Sequence, residues 1–126
     1  MVFEVTSTKS LSAIGEALQD AAARHKFGII TVHDLKETMK KKGVEFAGEC
    51  MIYEVCNPHQ AKKVLEANGA VSTALPCRIS VYRSGGEYKL ATILPTAMMA
   101  LFGDPELEPV AREVEDVITA MMRESA

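Results

Sequence analysis

From Val2 to Thr6 the chain alternates apolar and polar positions with the period of two that a half-buried strand requires. Ser10 then stands where an N-cap belongs, ahead of a stretch whose apolar positions Leu11, Ile14, Leu18 and Ala21 recur every three or four residues. That spacing predicts an amphipathic helix with Glu16, Gln19, Asp20 and Arg24 on its polar face, ended by Phe27-Gly28. Gly28 to His33 is apolar and β-branched and predicts a second strand. Asp34 to Glu37 has capping-box spacing and opens a short helix closed by Gly43.

Period two returns from Glu49 to Cys56, with Met51, Tyr53 and Val55 on a core face and Cys50, Ile52, Glu54 and Cys56 opposite. Asn57-Pro58-His59-Gln60 combines an Asn cap, a proline at the first helical position and a glutamine three residues after the cap. It predicts a helix from Pro58 to Ala67, stopped by Asn68-Gly69. Cys77 to Tyr82 and Tyr88 to Leu94 flank Ser84-Gly85-Gly86 and predict a hairpin. A short helical turn over Ala97 to Phe102 is expected next. A final helix follows, with the stripe Leu107, Val110, Ala111, Val114, Val117, Ile118 and Met121, and Pro109 leaves its start open by a turn. The order β-α-β-(α)-β-α-β-β-(α)-α is an α+β plan, with helices on one face of a mostly antiparallel sheet of about five strands.

Composition narrows the function classes. At 126 residues and 48% apolar content, residues 1–126 form one domain with one core. The net charge of −3 supplies no cationic excess to neutralise phosphates, so nucleic acid is not an expected partner. No secretory leader or membrane-length apolar run is visible, so a cytoplasmic protein without a membrane partner is expected. Three cysteines in no disulfide pattern agree with a reducing compartment.

Chemistry-bearing candidates are few. There is no Gly-rich phosphate loop, G-x-S-x-G, H-E-x-x-H or C-x-x-C, and nothing names a cofactor or a metal. Cys56 precedes the Asn57 cap. There it is either a reactive or ligand-binding thiol favoured by helix amides, unless burial opposes that, or the residue that staples onto Ala61. Cys77 is a core sulfur or its partner in a site. Cys50, six residues from Cys56 on one strand, lies about 20 Å away and cannot join it. Arg78 with Ser80 and Tyr82 either holds an anion or forms a solvated sheet face. His33 and His59 are acid–base candidates or surface residues, and no ligand spacing joins them. Lys40-Lys41-Lys42 suits a helix C-terminus, and Met98-Met99 and Met121-Met122 suit core filling.

Three elements together carry a family resemblance: Val32-His33-Asp34-Leu35, Cys56-Asn57-Pro58 with Ala61, and Leu75-Pro76-Cys77-Arg78 followed by Val81-Tyr82. From about Phe3 to Phe102 the chain resembles the bacterial and archaeal domain-of-unknown-function family numbered 302. The resemblance implies a TATA-binding-protein-like fold, a curved antiparallel sheet packed against helices, and a homodimer; it implies neither DNA binding nor a particular activity. The expected function is a small-ligand-binding homodimeric module with an apolar cavity between sheet and helix. Cys56, Cys77 and Arg78 would stand near the cavity mouth, with His33 as a further candidate. The alternatives are a thiol-based enzyme or soft-metal and redox site at Cys56 and Cys77, and a purely structural dimer module.

Overall fold

The computed structural model describes residues Met1–Ala126. Strands β1 (Val2–Ser7), β2 (Gly28–Asp34), β3 (Cys50–Cys56), β4 (Cys77–Ser84) and β5 (Glu87–Ile93) form one sheet in the order β1-β5-β4-β3-β2. Every neighbouring pair is antiparallel. Helices α1 (Leu11–Arg24), α2 (Leu35–Lys41), α3 (Pro58–Ala67), α4 (Pro95–Ala100) and α5 (Glu108–Ser125) complete the α+β plan in the order the periodicities predict.

The caps form largely where the sequence places them. Ser10 accepts from the Ala13 amide, Asp34 from Glu37, and Asn57 from both His59 and Gln60. The end of α1 differs. Lys26, at φ 62°, turns the chain left-handed, with Phe27 N–H bonding Ala22 at 2.8 Å and Lys26 N–H bonding Ala23 at 3.2 Å. That is a Schellman stop built on a lysine instead of a glycine. Two 3-10 turns were not foreseen. One over Gly69–Ala74 is capped by Asn68, which also ends α3, and one over Pro105–Leu107 leads into α5. Pro109 lies in the first turn of α5, where its missing N–H costs no helical bond.

The two faces of the sheet have different fates. Tyr53, Val55, Cys77, Ile79, Val81 and Leu90 are buried against Ile14, Leu18, Ala21 and Ala22 of α1 and Ile118, Met121 and Met122 of α5. Each fully buried Leu, Ile or Met side chain contributes about 1.5–3 kcal/mol, so this layer holds the fold together. The other face is not buried. A row in register across all five strands, His33, Ile52, Ser80, Ala91 and Glu4, remains open to solvent to varying degrees. A second, smaller core of Val64, Val71, Met99, Leu107 and Ala111 joins α3, the first 3-10 turn, α4 and α5. Glu115 clamps α4 to α5 by accepting from the Thr96 amide at 3.1 Å and hydroxyl at 2.6 Å.

Candidate functional site

The two cores do not merge, and the seam between them is a cavity of about 470 Å³. Phe27, Val55 and Cys77 of the larger core face Val64, Met99 and Ala111 of the smaller one across it. The seam has a local cause. At Cys56 strand β3 ends and Asn57-Pro58 turns the chain directly into α3, so that helix departs from the sheet instead of lying on it. Leu75-Pro76 then returns the chain to β4 alongside Val55, which pairs with Cys77. Ile30, 58% exposed at the β2 bulge, and Leu65, 40% exposed on α3, form an apolar rim that leaves the cavity open to solvent.

Cys56 and Cys77 both line this cavity. Burial pushes the Cys56 thiol above its ordinary pKa, so the helix start does not win there. The reason is visible in the cap: Asn57 Oδ1 already accepts from His59 N–H at 3.0 Å and Gln60 N–H at 3.2 Å, and Pro58 has no N–H to offer. No free amide of the first turn is left for a thiolate. Burial raises the Cys77 thiol further, to about 11, with negative charge at Cys56 adding to the shift. Both sulfurs are therefore protonated at neutral pH and serve as soft, weakly polar wall. Ala61, the expected staple partner of Cys56, also lines the cavity.

Arg78 and His33 stand elsewhere. They meet on the open face of the sheet, where Glu54 Oε1 lies 2.8 Å from His33 Nε2 and 3.7 Å from Arg78 Nε. Glu54 belongs to both places, since it also lines the cavity. The Arg78 guanidinium, 62% exposed, thus stands on the open face beside a carboxylate of its own chain and not at the cavity mouth. Cys50 lies apart, its sulfur 3.8 Å from the Ser80 hydroxyl. No group of three His, Cys, Asp or Glu side chains gathers to hold a metal ion. No helix is long and apolar enough to cross a membrane.

Sequence reasoning missed Gln60 as a site residue. The capping-box spacing assigns its side chain to the Asn57 N–H, but only half the box forms. Gln60 Nε2 instead donates to Glu113 Oε2 of α5 at 3.0 Å, and the residue lines the cavity while its Oε1 is sealed away without a partner. The glutamine was legible as a capping residue. Its role as the link from α3 to α5 depends on how two helices distant in sequence pack.

Comparison with known proteins bears on the family and the fold. Residues 3–125 match the family model described as Domain of unknown function DUF302. The crystal structure of an uncharacterized conserved protein DUF302 from Bacillus stearothermophilus superposes with a TM-score of 0.94 at 28% identity. The match covers 99% of this chain and 98% of that one. No curated protein matches the chain.

Proposed function

This chain belongs to the DUF302 family, and we propose that within that fold it binds a small apolar molecule in the seam between its two cores. The observation that carries the reading is the cavity itself. Its volume of about 470 Å³ falls in the range of roughly 300–1,000 Å³ typical of ligand pockets. Its wall is mostly apolar, with a few polar atoms to orient a guest. The two thiols add polarisable surface and, being protonated, no charge.

The test uses N-phenyl-1-naphthylamine, an uncharged dye that brightens in apolar surroundings. A saturable rise in fluorescence at micromolar dye is expected with the wild type. Ala61→Trp fills the space from α3 and abolishes that rise while leaving the far-ultraviolet dichroism intact. Equal binding by wild type and variant, or no saturable binding by the wild type, overturns the reading.

A thiol enzyme or soft-metal site at Cys56 and Cys77 has in its favour that both sulfurs line one cavity. Their raised pKa values oppose it, because the thiolate is the nucleophile and the metal ligand.

We further propose a symmetric homodimer through the open sheet face. Val2 and Ile93, more than half exposed, lie in register at its edge, and Ile52, Tyr82 and Ala91 extend the apolar surface inward. The Glu4–Lys89 pair and the His33–Glu54–Arg78 group supply both charge signs, which a self-complementary two-fold contact can match. Light scattering at tens of micromolar is expected to give twice the chain mass; a monomer refutes the assembly.

A further inference from the structure

The seam has a neighbour. A second concavity, of about 440 Å³, lies between helix α1 and strand β2, and Phe27 and Ile30 line both spaces. Its other walls are Gln19, Ala22 and Ala23 of α1 and Ile29, Thr31 and Val32 of β2. The two spaces therefore adjoin, with the buried Phe27 and the exposed Ile30 as their common wall. Three large apolar side chains that the fold leaves at least 40% exposed lie along this route: Leu65 on the seam, Ile30 at the junction and Val32 on the groove.

The two spaces differ in polarity. The seam wall is mostly apolar, whereas the groove adds the exposed side chains of Gln19 and Thr31 and the free edge of the sheet. Strand β2 is the last in the sheet and pairs only with β3, so the outward N–H and C=O groups of its backbone have no strand partner. The bulge between Ile29 and Thr31 leaves Ile30 out of the register as well. Edge strands are commonly blunted by lysine or proline, and Gly28 to Val32 contains neither. An apolar tail is best placed in the seam, and a head that hydrogen-bonds finds unused donors and acceptors in the groove.

We infer that the guest is an elongated single-chain amphiphile, its tail in the seam and its hydrogen-bonding head in the groove between α1 and β2, with the chain passing over Ile30. The inference rests on the ligand-binding reading above and adds to it the shape and orientation of the guest.

The probes are n-octyl-, n-decyl- and n-dodecyl-β-maltoside, each kept below micelle formation and read by displacement of N-phenyl-1-naphthylamine. The maltose head is too bulky and polar to follow its tail into the seam. Affinity for the wild type is expected to rise about fourfold with each methylene buried. Ala23→Trp, at an exposed position of α1, fills the groove and leaves the seam open. It is expected to weaken dodecyl maltoside on the order of tenfold, the burial of about two methylenes, while the compact dye binds as to the wild type.

No displacement by dodecyl maltoside from a wild type that binds the dye overturns the inference and leaves the cavity reading standing. So does an Ala23→Trp variant that binds the maltoside as the wild type does; if that variant also loses the dimer mass in light scattering, the edge belongs to a second copy. Failure of the dye itself on the wild type refutes the cavity reading. Should Ala23→Trp not fold, Val32→Thr, isosteric and exposed, is expected to weaken the maltoside and spare the dye, and an unaltered maltoside affinity there overturns the inference.

Discussion

The phenol oxygen of Tyr53 stands 2.6 Å from the point where a β-carbon on Gly15 would lie. Helix α1 can approach the centre of the sheet this closely only because residue 15 has no side chain. The tyrosine ring is itself embedded in the larger core, 4% exposed, and cannot swing aside.

Gly15→Ala therefore sets two effects against each other. Alanine in a helix interior is worth about 0.5–1 kcal/mol over glycine. Overpacking against a fixed core ring costs about 1–3 kcal/mol. Urea unfolding is expected to show a net loss of about 1 kcal/mol. In a Tyr53→Phe background the nearest ring carbon lies 3.6 Å from the new β-carbon, an ordinary contact, so there the same substitution stabilises. An unchanged sign in the two backgrounds would show that the hydroxyl is not the obstacle.

Lys26→Gly is expected to stabilise the chain. The left-handed φ of 62° that ends α1 strains any L side chain by about 1–2 kcal/mol, and glycine relieves it at some cost in unfolded-chain entropy. The net gain should be about 0.5–1 kcal/mol, read as a higher urea midpoint with the slope unchanged. The Lys26 carbonyl, which accepts from Asn57 Nδ2 at 3.3 Å, is kept in the variant. A lower midpoint would mean that the lysine side chain does more than fill a turn.

Alkaline stability should depend on Cys77. Its folded pKa of about 11 lies above its ordinary value of 9.0, so between the two the folded state holds a proton that the unfolded state has lost. The stabilisation is fully present below pH 9.0 and falls away as the pH rises towards 11, by an amount on the order of 2–3 kcal/mol. Cys77→Val keeps an apolar side chain, with the extra methyl accommodated beside the cavity that Cys77 lines, and removes the titration. Its unfolding free energy is expected to decline less than that of the wild type over this range. Parallel curves for the two proteins would refute the assignment.

What the chain shows by itself follows from local chemistry. Ser10, Asp34 and Asn57 each place an acceptor before a helical repeat, and each caps the predicted helix. Alternation in β3 separates Tyr53 and Val55 from Glu54, and the faces divide accordingly. Cap and alternation are governed by neighbours a few residues away, so a linear reading captures them. Lys26 escaped that reading because a left-handed stop is normally recognised by its glycine, and here a lysine tolerates the strain.

The candidate site was legible in part. Cys56 and Cys77 can be singled out from their places beside Asn57 and Pro76, and both line the cavity; Arg78 and His33 can be singled out equally well, yet they stand on the open sheet face with Glu54. Sequence determined the five strands, the five helices, their order and the apolar faces, because each depends on period and capping within a few residues. Tertiary structure alone decided that the two cores stay apart, that burial overrides the helix start at Cys56, and that Gln60 leaves its own cap to reach Glu113. Those outcomes depend on the angle at which α3 leaves β3 and on α5 packing across both cores. Such angles and contacts are set by side chains more than fifty residues apart in the chain, as in the Gln60 and Glu113 pair, and no local pattern encodes them.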